Sequence, residues 1–465
     1  MNKEDEEIVI IGAGLVGSLL SIFLCKRGYH VRMFERRGDM RRTTVEAGRS
    51  INLALSDRGL LALRKAGIEK DILSISIPMH GRAIHNPDGS EAFQPYGTKG
   101  QYINSVSRSA LNSRLLDLAE SHGVQVEFGH KCTHIDWSKK SIRFTNEKEG
   151  QTDVVFSRCL ATDGAYSSAR LAHMLQHEKF DYHQAYIDCG YKEISIPSAQ
   201  DGRHLLTKEA LHIWPRKEFM LIALPNQDGS FTGTLFFPFT GDASFESLNT
   251  PEKVADFFAT NFPDVKKLVP DLEKQFYDHP LSSLVTVKCF PWKRDDSFLL
   301  LGDAAHAIVP FFGQGMNAGF EDCIVLDKLL DEQDGDWEAV FENFQTVRKP
   351  DTDAIADLAV TNFTEMRERT ADPLFLLQKK IEMKLHAHHP ELWIPAYSQV
   401  TFSPDISYSQ ALANSLRQEA IMQDIMKMPD IANRWNHAEI EELILQKLNA
   451  SSDNNKVREH KQDTP

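Results

Sequence analysis

The sequence predicts an α/β fold: a Rossmann-like nucleotide-binding domain, interrupted by an inserted antiparallel β-sheet domain and followed by a C-terminal helical region. Three observations carry this expectation. The first fifty residues run strand, glycine-rich turn, helix, strand; a second buried strand, ending in Gly302-Asp303, follows far downstream; and between them long apolar runs give way to short alternating ones.

In chain order, Glu7 to Ile11 reads as a strand, Gly12 to Gly17 as the turn, the apolar stretch to about Arg27 as a helix, and His30 to Glu35 as the next strand. Helices are expected over Arg58 to Ala66 and Ser109 to Ser121. A short strand pair is expected at Val124 to Phe128 and Ser141 to Thr145, before an apolar strand ending at Asp163. From Phe180 to about Phe290 the runs Leu211 to Trp214, Phe219 to Leu224 and Phe231 to Phe237 are broken by proline and the Asn226-Gln227-Asp228-Gly229 turn, as in an antiparallel sheet. Ser297 to Leu301 returns to a buried strand, Gly315 to Leu330 and Trp337 to Lys349 read as helices, and the chain beyond Asp351 is almost wholly helical. Residues 1–180 and 286–360 therefore form the two parts of the nucleotide-binding domain. Residues 181–285 form the inserted antiparallel sheet, 361–449 the helical region and 450–465 a polar, disordered tail.

A chain of 465 residues with this apolar share can bury a sizeable core. Its formal charge of −14 is spread along the chain, which argues against a nucleic-acid partner because phosphate binding needs a basic face. The six cysteines lie far apart with no C-x-x-C pair, so neither a zinc site nor a disulfide framework is expected, and the compartment expected is the cytoplasm. The acidic start, Met1 to Glu7, does not read as a signal peptide, and no apolar run approaches the ~20 residues of a membrane span.

The stretch Ile11-Gly12-Ala13-Gly14-Leu15-Val16-Gly17 lies between a strand and a helix, with Glu35 ending the next strand. The glycines permit a tight turn and let backbone N–H groups approach a pyrophosphate, while the Glu35 carboxylate can accept both ribose hydroxyls and would repel a 2′-phosphate. The unit thus suits FAD or NAD better than NADP. Downstream come Gly302, Asp303, Gly313, Gln314, Gly315, Met316 and Asn317, and centrally Asp163-Gly164. Alone, Asp303 could simply cap a helix and Asp163-Gly164 could be an ordinary turn. With all three motifs in order, the chain resembles the aromatic hydroxylases of the para-hydroxybenzoate hydroxylase type. The resemblance implies FAD held by Gly12, Gly14, Leu15, Gly17, Glu35, Asp163, Gly302, Asp303, Gly313, Gly315, Met316 and Asn317, with Arg36 and Arg108 at its phosphates or adenosine. It implies that Asp303 bonds the ribityl chain, that Gly313 to Asn317 start a helix pointing at the flavin, and that Asp163-Gly164 is linked to reactivity with NADPH. Ala161 and Thr162 stand where the family more often has glycine and alanine. No side chain is assigned as catalytic, because the resemblance leaves the oxygen chemistry to flavin C4a.

Within that family the likeness is closest to the branch that acts on L-kynurenine, and it runs to about Ser403. It rests on Gly48 to Ser56, Met79 to Arg82, Gln94 to Gly97, Gly190 to Glu193, Leu211 to Pro215 and Tyr397 to Ser403. It implies Arg82, Tyr96, Asn362 and Tyr397 as the pocket for the substrate's carboxylate and amino groups, a chemistry that a planar guanidinium with phenol and amide donors can supply. Singly, Arg82 could be a surface ion pair, the tyrosines edge-of-core aromatics and Asn362 a mid-helix polar position. His306 reads as a structural donor, and Arg36, Arg37, Arg41 and Arg42 as a solvated loop. The implied reaction uses L-kynurenine, NADPH and O₂ in tryptophan breakdown towards quinolinate and NAD, in a monomer or homodimer without a membrane anchor. The flavin motifs by themselves also admit a hydroxylase or epoxidase of a quinone precursor or other apolar ring, or an FAD-containing sensor that binds a partner through its C-terminal helices.

Overall fold

The structure, a computed structural model, describes residues 6–42, 51–97, 100–146, 148, 150–368 and 373–462, with side chains omitted at 366–368 and beyond 450. Gly48 to Ser50, part of the family likeness, lie outside the described residues.

Apolar residues that run continuously, rather than alternating, belong to strands covered on both faces. Ile8, Val9 and Ile10, and Leu299 and Leu300, are such runs, and all are fully buried. They sit in a six-stranded sheet ordered Lys293–Arg294, Phe298–Leu300, Arg158–Ala161, Glu7–Ile11, His30–Glu35, Gln125–Phe128, parallel except at the Lys293–Arg294 edge. Helix Leu15–Lys26 packs into the same core, and Phe144 stacks on Phe34 with ring centroids 4.2 Å apart.

The expected pairing of Val124–Phe128 with Ser141–Thr145 is not formed. Gln125–Phe128 is the edge strand beside His30–Glu35, whereas Ser141–Asn146 is the centre of a separate three-stranded sheet between Lys131–Asp136 and Gly150–Val155. The intervening strand Lys131–Asp136, not foreseen from sequence, takes the hydrogen bonds that the expected pairing would have used.

The third sheet has seven strands, ordered Ser282–Phe290, Asp181–Ile196, Phe231–Phe237, Phe219–Pro225, Ala210–Arg216, Gly81–His85, Glu91–Pro95. It spans more of the chain than 181–285, because its last two strands come from before the insertion and join through a parallel pairing of Ala210–Arg216 with Gly81–His85. Side chains alternate between its faces. Trp214, Phe231 and Phe237 bury one face against the helices Pro251–Asn261, Pro263–Leu268 and Leu272–Asp278, while Leu211, Ile222 and Leu224 on the other meet Tyr96, Phe402 and Tyr397.

Helix Trp337–Glu368 continues through Pro350, beyond the expected stop at Lys349. Proline removes one hydrogen bond, but Arg348, Asp351 and Thr352 are buried around it, so tertiary packing overrides the local signal. The helices Pro373–His388, Tyr408–Met426 and Ala438–Gln462 share a core of Ile381, Leu385, Trp393, Met422, Ile425 and Ile444. The last helix reaches Gln462, over much of the stretch expected as a disordered tail; no glycine or proline interrupts 438–462. Among the described residues no helix is long and apolar enough to cross a membrane.

Candidate active site

At the end of the first strand, Gly12 takes φ +100° and lies against the neighbouring strand end, where an added Cβ would stand 2.7 Å from the Thr162 carbonyl oxygen. A Cβ on Gly17 would stand 2.1 Å from the Gly12 carbonyl oxygen. Thr162, the departure from the family's usual residue, donates its hydroxyl to Ile11 O at 3.1 Å and Gly12 O at 2.9 Å and so ties the two strand ends together. Gly14 faces open space, with nothing within 4 Å of an added Cβ. Half-buried Leu15 begins a helix without a side-chain cap, so its first N–H groups and the positive end of its dipole face outward beside Gly14. Glu35 is buried. Its carboxylate accepts from Ala13 N at 3.0 Å, Arg37 N at 3.0 Å and Arg37 Nε at 2.8 Å. Burial pushes its pKa up, but these donors outweigh burial and hold it below the usual range. Arg36 and Arg108 are exposed. Of the expected solvated arginines, Arg41 is instead held by Asp39, Asp117 and Glu120.

Asp163 accepts from Ser167 Oγ and from Ala169 N at 3.1 Å at the start of helix Ser168–Leu175, and burial raises its pKa. Gly302 takes φ +56°, its N–H donating to Asp322 Oδ2 at 2.9 Å. Asp303 follows, half-buried, and no described residue bonds its carboxylate. Gly313 takes φ +66°, and helix Gly315–Glu332 starts without a side-chain cap, Met316 lying half-buried in its first turn. Asn317 braces this loop: its side chain accepts from Ser56 N at 3.0 Å and donates to Ala54 O and Gly313 O, each at 2.9 Å. An open glycine turn, two uncapped helix starts and an unbonded carboxylate at Asp303 fit a dinucleotide with a flavin end.

Three of the four expected substrate residues meet. The Arg82 guanidinium lies 4.4 Å from the Tyr397 ring centroid and 5.2 Å from that of Tyr96, and the two rings are near-parallel with centroids 5.8 Å apart. No acidic side chain among the described residues pairs with Arg82. The Tyr96 hydroxyl is buried and makes no hydrogen bond of good geometry with a described residue, although Arg82 and Tyr397 adjoin it, and burial pushes its pKa well above the usual range. Asn362 stands one step away, donating to Phe311 O at 2.7 Å, while the next residue, Phe312, stacks on Tyr397 with centroids 5.8 Å apart. Phe312 thereby joins the Arg82 cluster to the Gly313 loop.

Sequence reasoning missed a buried charge network beneath this site: Arg58, Glu321, Asp322 and Arg348. His306 belongs to it, with Nε2 2.7 Å from Asp322 Oδ2. Burial pushes the Asp322 carboxyl up, but the His306 ring and Arg348 guanidinium hold it below the usual range. The available signal was charge on otherwise apolar helix faces, which a single sequence does not distinguish from a solvated face.

Residues 5–337 match the model of the FAD binding domain family. The kynurenine 3-monooxygenase of Christiangramia forsetii is 49% identical over 95% of this chain and 99% of its own length. Those of Flavobacterium psychrophilum and Dictyostelium discoideum are 47% and 42% identical, over 96% and 92% of this chain and 100% and 95% of their own. Among solved structures, a 2-methyl-3-hydroxypyridine-5-carboxylic acid oxygenase aligns with a TM-score of 0.64 at 18% identity, over 79% of this chain and 94% of that one. A tetracycline destructase aligns at 0.61 with 17% identity, over 87% and 98%; both likenesses speak to the fold alone. With relatives this similar over nearly their whole length, and with the glycine turn, Gly302-Asp303 and Arg82 cluster in one fold, the chain belongs to the kynurenine 3-monooxygenase family of FAD-binding proteins.

Proposed function

We propose that this chain is an FAD-dependent monooxygenase that hydroxylates L-kynurenine to 3-hydroxy-L-kynurenine, using NADPH and O₂. One observation carries the substrate assignment: Arg82 is a half-buried guanidinium flanked by two tyrosine rings and given no acidic partner by the described residues. A cation so placed costs free energy unless an anion joins it, and an amino-acid carboxylate matches its planar pair of donors. The Tyr96 and Tyr397 hydroxyls add further polar contacts for that end. Leu211, Ile222 and Leu224 on the same sheet face, and Phe312 beyond Tyr397, form apolar surface suited to an aromatic ring and exclude water from it. A quinone precursor would leave Arg82 unmatched.

FAD, when bound, accepts a hydride from NADPH and activates O₂ for transfer to the ring. The chain's part is to bind and orient. In this reading the Gly12–Gly17 turn and the start of helix Leu15–Lys26 hold the pyrophosphate, Glu35 the ribose, Asp303 the ribityl chain, and the N–H groups at Gly315 to Asn317 the polar edge of the flavin. Arg36, Arg108 and Asp163 complete the cofactor contacts. Asn362 holds the Phe311–Phe312 turn in place, so its effect on the substrate runs through Phe312.

The decisive test compares NADPH oxidation with and without L-kynurenine in the FAD-loaded protein and in Arg82→Met. Wild type is expected to be stimulated and to give a product heavier by ~16 mass units, the one oxygen inserted in flavin chemistry. Arg82→Met should raise KM about 100-fold or more, as loss of a charge-paired anchor does. An unchanged KM in the variant refutes the assignment of Arg82, and an unstimulated wild type refutes the substrate.

A further inference from the structure

The proposed mechanism leaves unused the charges buried between the C-terminal helices and the nucleotide-binding sheet. Arg58 is 1% exposed. Its Nε donates to Val400 O at 2.7 Å, and one terminal nitrogen donates to Gln399 O at 3.3 Å, Ser403 O at 3.2 Å and Ile406 O. Gln399 and Val400 lie in the second half of helix Ala396–Phe402, the helix that carries Tyr397, and Ser403 and Ile406 in the segment that follows it. The guanidinium also lies 4.2 Å from the Tyr408 ring centroid, and the Tyr408 hydroxyl donates to Gln314 Oε1 at 3.0 Å. The other terminal nitrogen of Arg58 donates to Glu321 Oε1 at 2.8 Å. Glu321 Oε2 accepts from Arg348 at 2.8 Å, Arg348 Nε donates to Asp322 Oδ1 at 2.8 Å, and Asp322 Oδ2 takes the N–H of Gly302. One unbroken chain of charge-assisted hydrogen bonds thus runs from the helix of Tyr397 to the strand end of Gly302 and Asp303. Glu321 is its central link, each carboxylate oxygen serving a different arginine.

A buried ion network is a poor way to gain stability, because desolvation offsets most of the attraction, but it fixes geometry sharply, since each member has few alternative partners. We propose that Glu321 is a positioning residue: by bridging Arg58 and Arg348 it sets the Tyr397 side of the pocket against the Gly302–Asp303 loop, and so keeps NADPH oxidation coupled to hydroxylation. The coupling part of this inference rests on the function proposed above; the geometric part does not.

The test is Glu321→Gln in the full chain, which keeps the size and removes the charge. FAD affinity is measured by quenching of flavin fluorescence, together with KM for L-kynurenine, the share of NADPH that ends as hydrogen peroxide, and Tm. The expected result is a rise of about tenfold in both the FAD Kd and KM, with a larger peroxide share. A lower Tm with FAD Kd, KM and peroxide share at wild-type values overturns the proposal, since that is what a merely structural residue gives. If Glu321→Gln does not fold, Glu321→Asp keeps the charge but shortens the reach; the same three quantities must rise, and wild-type values overturn the proposal equally. If the wild-type protein proves indifferent to L-kynurenine, the substrate assignment has failed, while the FAD Kd of the variant still decides whether Glu321 positions the loop.

Discussion

A methyl group at position 17 has nowhere to go: it would stand 2.1 Å from the Gly12 carbonyl oxygen and 2.6 Å from Thr162 Oγ1, and neither neighbour is a flexible chain end. Gly17→Ala is therefore expected to spread the turn from the strand end, destabilise the fold by about 1–3 kcal/mol as overpacking does, and weaken FAD binding. Thermal melts and a flavin titration check this, and wild-type affinity in the folded variant would remove the turn from the cofactor site. At this scale the sequence identifies residue types and not their partners. Gly12 and Gly17 could be picked out because a glycine-rich turn between a strand and a helix is distinctive, whereas Arg82 stood out only through the family resemblance. Nothing in one sequence says that the Asn317 amide is consumed by Ala54, Ser56 and Gly313, or that Asn362 turns to the Phe311 carbonyl rather than joining Arg82 directly.

Between elements, Lys192 of the Gly190 to Glu193 stretch has a structural explanation on the far side of the sheet from Arg82. Lys192, on strand Asp181–Ile196, donates Nζ to Phe276 O and, at 2.9 Å, to His279 O, tying the end of helix Leu272–Asp278 to the sheet. Lys192→Met should cost roughly 1–3 kcal/mol, because two buried carbonyls lose a charged donor, with KM for L-kynurenine unchanged; a changed KM would contradict this division of faces. The first strand–helix–strand unit was legible almost to the residue because Ile8 to Ile11 is an uninterrupted apolar run and the glycine turn after it marks where the helix begins. Strands Gly81–His85 and Glu91–Pro95 were not. The second is exposed along its whole length at the sheet edge, so burial leaves no periodic trace in it, and the first pairs with a strand more than a hundred residues away.

Across the whole molecule, buried histidines make stability depend on pH. His85 Nε2 lies 2.9 Å from His212 Nδ1 beneath the short helices; burial lowers both pKa values, that of His212 to about 4. His173 is lowered to about 4 by burial and by the neighbouring His177 and Arg294, and neither ring nitrogen has a hydrogen-bond partner among the described residues. An unfolded histidine titrates near ~6.5. The unfolded chain therefore binds protons first on acidification, so this stability is fully present above about 6.5 and lost as the pH falls towards 4, by roughly 3 kcal/mol for each of His173 and His212. His173 packs against Trp137, Phe180 and Phe298, so His173→Phe should shift Tm upward at pH 5 relative to pH 8, compared with wild type; an equal shift at both values would place the acid sensitivity elsewhere. The seven-stranded sheet has a further consequence for how specificity can change. Arg82 and Tyr96 come from before the insertion and Tyr397 from long after it, while Leu211, Ile222 and Leu224 belong to the insertion itself. On the proposed function, exchange of residues 181–285 between relatives is expected to carry over the surface proposed for the ring and leave the anchor proposed for the charged end in place, so ring preference would diverge while the requirement for an amino-acid carboxylate is kept.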